Sequence, residues 1–246
     1  MEMDFSYKDY KALIYALNQT GYVICDYDSW CNFDRCVILR HDVDINLDTA
    51  LDFARIEENL GVKSTYFILL TSDFYNLFSA KSRAILQSVL NCGHEIGLHF
   101  DETQYPETIG KPDMVTSKIT EEAAALSTIL QLPVTKVSMH RPSKEILKAD
   151  MKIPGMINSY GKTFFNEFKY LSDSRRRWRE QVMDIVNSGE YDRLHILTHP
   201  FWYLEASKGL HERLKEFVSN GNPERWDILD NNFTELPKEL AKDEIL

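Results

Sequence analysis

The feature that most constrains this chain is the run Val37-Ile38-Leu39-Arg40-His41-Asp42-Val43-Asp44, an apolar segment that ends in two carboxylates spaced two residues apart. Side chains alternate faces along a strand, so a strand here presents Asp42 and Asp44 together at its end. The event recurs in Glu95-Ile96-Gly97-Leu98-His99-Phe100-Asp101, in Lys136-Val137-Ser138-Met139-His140-Arg141-Pro142 and in His195-Ile196-Leu197-Thr198-His199-Pro200. One His or Asp after an apolar run is ordinary turn chemistry. Four such ends are a stronger signal, because parallel α/β folds assemble their sites from side chains at the carboxyl ends of several strands.

At 246 residues the chain suits one large α/β domain, able to bury a core without metal or disulfide staples. No linker, low-complexity tract or internal repeat divides it. With 38 acidic against 28 basic residues, the net charge of −10 argues against non-specific nucleic-acid binding. The first residues are acidic and carry no apolar secretion segment, and no run is long enough to span a membrane. A cytoplasmic protein is expected, with Cys25, Cys31, Cys36 and Cys92 as free thiols. The oligomeric state is left open.

Strand and helix signals alternate. Asn46 is placed to cap a helix through Leu47, Ala50, Leu51 and Ala54 that stops at Gly61, and Lys63–Leu70 reads as a buried strand. Ser79 caps a helix carrying Ile85, Leu86, Val89 and Leu90, followed by strand His94–Phe100. A helix through Glu121–Leu132, strand Val134–His140, a helix near Glu180–Asn187 and strand Leu194–His199 come next. Short strands are expected in MINSYG and FKYLSDS. Helical patterns at Leu204–Val218 and Trp226–Lys242 close the chain. Buried strands alternating with helices imply a parallel sheet, and without GxGxxG a distorted or incomplete (β/α) barrel fits better than an open dinucleotide-binding sheet.

Taken in order, the strand ends resemble the motifs of the polysaccharide deacetylases of carbohydrate esterase family 4, the NodB-homology domain. Arg40-His41-Asp42-Val43-Asp44 is similar to the Asp-x-Asp variant of the first motif, and Gly93-His94-Glu95-Ile96-Gly97-Leu98-His99 to the family's Gly-His-Glu-Ile-Gly-x-His. His140-Arg141-Pro142 resembles an Arg-x-Pro motif, Asp173–Trp178 an Asp-x-x-Asp-Trp motif, and Leu197-Thr198-His199 a Leu-x-Leu-His motif. The resemblance spans roughly Val37–Trp202, with residues 203–246 as C-terminal helices of the same domain.

The resemblance implies a metal-dependent hydrolase that removes acetyl groups from N-acetylated sugars, with one divalent ion, zinc foremost. It makes Asp42 the general base, Asp44 and His99 metal ligands, Arg141 the group that orients Asp42, and His199 the general acid tuned by Asp173, with Trp178 lining the groove. The chemistry is coherent, since amide hydrolysis needs an activated water, a polarised carbonyl and a proton for the leaving amine. The family's second histidine is replaced by Thr103. Asp101, which shares a face with His99 if the strand continues, is then the candidate third ligand, with Glu102 the alternative if the chain turns at Phe100. His94 faces the other way. His140 reads as a structural histidine, because alternation places only one of His140 and Arg141 inward.

The run Arg175-Arg176-Arg177-Trp178-Arg179 is either a solvated face or, through Arg175, a clamp for the phosphate of an activated sugar. Trp202, beside His199, is either core or a sugar-stacking wall. A small carbohydrate or activated sugar is the expected partner. A hydrolase of a non-sugar amide and a non-catalytic carbohydrate-binding relative are the competing functions.

Overall fold

The computed structural model describes residues 3–245. Within them, contacts divide the chain into one compact unit ending at Glu205 and a second beginning at Ala206.

The first unit opens with an element the sequence reading did not anticipate, helix α1 (Tyr7–Gln19), whose amino end is capped by the Ser6 hydroxyl accepting from Asp9 N–H. Its Tyr10, Leu13, Ile14 and Leu17 are buried. Strand β1 (Val23–Cys25) follows, then β2 (Cys36–Val43), which is buried along its whole length because both faces are covered. Helix α2 (Leu47–Asn59) starts at Asn46, whose side chain accepts from Thr49 N–H as expected. Strand β3 (Thr65–Leu69), helix α3 (Ala80–Asn91) capped by Ser79, and strand β4 (Glu95–Phe100) also match the periodicity. Helix α4 (Pro112–Leu130) begins with a proline, whose missing N–H costs nothing in a first turn. Then come β5 (Lys136–Met139), the short α5 (Lys144–Lys148), β6 (Ile157–Asn158), β7 (Lys169–Ser172), α6 (Val182–Ser188) and β8 (Arg193–Thr198).

All strand pairings are parallel, in the order β6-β5-β4-β3-β2-β8-β7, with β1 joined to the lower part of β2. Flat, the four spacings from β2 to β6 would separate them by about 19 Å. Yet the Arg40 guanidinium on β2 donates to the Ser159 hydroxyl, just beyond β6, at 2.7 Å. The sheet is therefore curled into an incomplete (β/α) barrel, with β6 and β7 as its unpaired ends.

Curling gives β2 two environments. Ile38 faces a small interior core with Tyr27, Phe67, Phe164 and Phe168, and Arg40 and Asp42 follow it on that side. Val37 and Leu39 face outward to α1 and α2. The interior is tight at Gly97, where an added Cβ would lie 2.5 Å from the Phe67 ring. Glycine there lets β4 approach β3 across that ring.

The second unit holds α7 (Leu210–Asp230) and α8 (Leu236–Glu239). The two expected helical patterns are here one long helix and a short one. Helix α7 runs through Pro223, since a missing N–H removes one helical hydrogen bond and leaves the others in place. Trp226 anchors the unit by donating its indole N–H to the Leu240 carbonyl at 3.0 Å.

Candidate metal centre and acid-base pair

The carboxyl ends of β2, β4, β5 and β8 open into a cavity of about 610 Å³ lined by Asp42, Asp44, His99, His140 and His199, among others. Asp42 is the last inward side chain of β2, and Asp44 follows in the turn before α2. His99 is inward on β4. His140 directly follows β5, two residues after Ser138, which faces inward with its hydroxyl 3.5 Å from Asp42 Oδ1.

Asp44 Oδ1, His99 Nε2 and His140 Nδ1 converge. The separations are 3.2 Å from Asp44 to His99, 3.5 Å from Asp44 to His140 and 3.1 Å between the two histidines. Ligand atoms about 2.0–2.1 Å from a tetrahedral ion stand roughly 3.3 Å apart, so this triangle has the size of one face of such a site. Asp44 Oδ1 is buried and has no hydrogen-bond partner despite its short contacts. A lone pair left over in that way fits a cation, and two imidazoles with one carboxylate suit a divalent transition metal. Burial would raise the Asp44 carboxyl, but His99, His199 and His140 outweigh it and hold the group well below the usual carboxylate range. His140 is pushed down by burial and by His99, which favours the neutral, ligating form.

The expected third ligand is elsewhere. Strand β4 ends at Phe100, and Asp101 caps the short turn that follows, accepting from Thr103 N–H and Oγ1–H at 3.0 and 2.7 Å. Its other oxygen meets Arg141 at 3.0 Å. Glu102 is used as a loop clamp, accepting from Gly110 N–H and from Ser143 N–H and Oγ–H. Because the strand stops one residue short, the face-sharing of His99 and Asp101 does not carry over. His140, read from sequence as structural, takes the third corner instead.

Arg141 is also displaced from its expected partner. It is 62% exposed and pairs with Asp101. The guanidinium beside Asp42 belongs to Arg40, fully buried on β2 and donating to Asp42 Oδ2 at 2.9 Å. Arg40 and Asp42 lie on one face by the same two-residue period that aligns Asp42 with Asp44, so the signal was present in the sequence. His140, one residue beyond the end of β5, has only a two-residue step from Ser138 to point to it, the same kind of signal that fails for Asp101 beyond β4.

His199 lies where the sequence placed it, in the cavity beside Asp173. Its Nδ1 is 2.6 Å from Asp173 Oδ1, and its backbone N–H donates to Asp173 Oδ2 at 3.1 Å. Burial works against a charged imidazole, but the Asp173 carboxylate prevails, and the pKa is pushed up to about 9. Nε2 is left facing the cavity, 3.9 Å from Asp44 Oδ2. Arg175 and Trp202 line the cavity. Trp178 does not; it packs with the apolar cluster of α1, β2 and β8.

The site chemistry was also missed on the outer face of the sheet. Glu57 on α2, completely buried, accepts from Tyr10, Tyr66 and Ser64 and lies 3.0 Å from His41 Nε2 and 3.7 Å from His94 Nδ1. His41 Nδ1 is 2.7 Å from Thr198 Oγ1. The residues flanking Asp42 and His199 are thereby tied to one carboxylate.

No protein-family model matches the chain, and no curated protein does. Among solved structures it is similar to a family 4 carbohydrate esterase from Streptococcus mutans, at 16% identity over 84% of this chain and 87% of that one, with a TM-score of 0.49. An acetyl xylan esterase of the same family from Clostridium thermocellum, in complex with a cobalt ion, gives 16% identity over 75% and 82%, with a TM-score of 0.43. A pseudoenzyme of the family from Bacillus anthracis gives 13% identity over 77% and 60%, with a TM-score of 0.46.

Proposed function

We propose that this protein is a metal-dependent hydrolase that removes an acyl group, acetyl in the simplest case, from the nitrogen of a sugar or sugar precursor. The observation that carries the reading is the convergence of Asp44, His99 and His140 between two further groups, Asp42 held by Arg40 and His199 held by Asp173. The motif resemblance supplies the sugar. Asp44, His99 and His140 would hold the ion, zinc by the nature of two imidazoles and one carboxylate. When bound, the ion would polarise the acyl carbonyl and lower the pKa of a water.

The chain's own groups divide the proton work. Asp42, paired with the buried Arg40 guanidinium at 2.9 Å, takes the proton from the attacking water. His199, whose Nδ1–H is given to Asp173, directs Nε2 into the cavity and delivers a proton to the leaving amine. Arg40 is a positioning residue, because it reaches Asp42 and not the cavity's ion-binding corner.

The test is direct. Protein purified without chelator or histidine tag should contain one divalent ion per chain and release acetate from N-acetylhexosamine derivatives. Loading with zinc, cobalt or manganese should restore activity to chelator-treated protein. Metal at one equivalent without hydrolysis of any sugar derivative, together with turnover of a simple acyl amide, would move the substrate outside carbohydrates; no metal and no turnover would sink the reading.

A further inference from the structure

The cavity is also lined by groups that the hydrolytic reading does not use. Its rim carries Arg141, Arg175 and Arg179, and its walls Tyr160, Phe165, Tyr170 and Trp202. A chain with a net charge of −10 does not gather arginines at one rim as part of a generally basic surface. Their circumstances differ. Arg141 is neutralised by Asp101. Arg175 and Arg179 are exposed, and among the described residues neither forms an ion pair.

Arg175 and Arg176 are consecutive residues in the left-handed region, at φ 59° and 55°, a conformation that side-chain-bearing residues rarely adopt. Arg176 is anchored away from the cavity, its guanidinium 4.7 Å from the Phe5 ring centroid. Arg175 and Arg179 are the two of the run that line the cavity. Beside them the Phe165 and Tyr170 rings stack at 4.9 Å and 27°, and Tyr160 lies 5.1 Å from Phe165. Aromatic faces next to free guanidinium forks are the chemistry of a ring that carries a phosphate. The volume, about 610 Å³, lies within the about 300–1,000 Å³ of small-molecule sites.

We infer that the substrate is a phosphorylated N-acyl sugar, with its phosphate held by Arg175 and Arg179 and its ring against the Phe165–Tyr170 wall, while the amide reaches the Asp44–His99–His140 corner. The inference rests on the hydrolase reading for the position of the amide only. A sugar monophosphate and a nucleoside diphosphate sugar share this chemistry, and the test separates them.

Acetate release is compared for N-acetylglucosamine, its 1-phosphate and its uridine diphosphate ester, in native protein and in the Arg175→Gln/Arg179→Gln double variant. Calorimetric binding of the same three compounds is measured in both proteins. The phosphorylated compounds should be favoured in kcat/KM by about tenfold to a hundredfold, as for two charge-assisted contacts at a partly exposed rim. The double variant should lose that advantage through KM while its turnover of the neutral sugar is unchanged. A preference for the monophosphate places a dianion at the arginines, and a preference for the diphosphate ester places a bridging pyrophosphate there. Equal turnover of neutral and phosphorylated sugars, or an equal loss on all three in the variant, overturns the clamp and leaves the hydrolase standing. Phosphate-dependent binding that the variant loses, without hydrolysis, supports the clamp and sinks the hydrolase instead. Failure of both phosphorylated compounds to bind the native protein overturns the clamp.

Discussion

Two histidine-carboxylate clusters lie on opposite faces of the same strands, and they are finished differently. Behind the sheet, Glu57 is partnered by Tyr10, Tyr66, Ser64 and His41, and His94 meets the Ala54 carbonyl at 2.9 Å. In the cavity, Asp44 Oδ1 and His99 Nδ1 are buried without a hydrogen-bond partner. Both clusters are removed from bulk water, where an unpartnered polar atom is costly. The outer cluster answers that cost within the chain. The inner one leaves Asp44 Oδ1 and His99 Nδ1 without a hydrogen-bond partner among the described residues.

The contrast predicts opposite outcomes for similar substitutions. The largest effect should come from His140→Ala or Asp44→Asn, each of which should reduce bound divalent ion to background by elemental analysis, while the metal-free protein melts within a few degrees of native. Retention of a full equivalent of metal by His140→Ala would remove it from the ligand set. Next, Asp42→Asn should keep the metal and the fold but lower turnover by about a hundredfold or more. Activity that stayed near native would take Asp42 out of the mechanism.

On the outer face, Glu57→Gln should leave metal content unchanged and cost stability, on the order of 3 kcal/mol for a buried ionic group whose partners are left behind. Its signature is in pH. Burial would raise the Glu57 carboxyl, but His41, His94 and Ser64 prevail and hold it at about 2. A depressed carboxyl contributes stability that is present above its unfolded pKa, near 4.5, and is lost as pH falls toward 2. Burial lowers His94 below its ordinary value, so the native state also loses stability as pH falls through about 6.5. Denaturant melts should therefore weaken on acidification, and Glu57→Gln should lose the portion below about pH 4.5. An unchanged acid limb in that variant would break the comparison.

The smallest effect is expected at Asp101. Asp101→Asn should leave the metal stoichiometry intact and change stability by about 1 kcal/mol or less, because its ion-pair partner Arg141 is largely exposed. Loss of metal in that variant would return Asp101 to the ligand set and displace His140.

The sequence reading captured what period and capping govern. Asn46 and Ser79 start their helices, the β2, β4 and β8 segments end in Asp42, His99 and His199, and His94 faces away from His99. Helix α1 carries apolar Tyr10, Leu13, Ile14 and Leu17 at helical spacing but lies ahead of the strand-helix alternation that the ionisable strand ends mark. The errors in the site lie where strands stop. Asp101 and Arg141 both follow the last paired residue of a strand, so alternation no longer fixes their direction and a local turn or a nearby opposite charge does.

By itself, then, the sequence determined the strand ends, their ionisable residues and the faces those residues share, because a two-residue period is set by local backbone geometry. Which of them meet was decided by tertiary structure. Curling of the sheet brings β2 against the segment beyond β6 and gathers Asp44, His99 and His140 from three separate strand ends. No local pattern encodes that convergence, since it follows from the way the strands associate and from where each one ends.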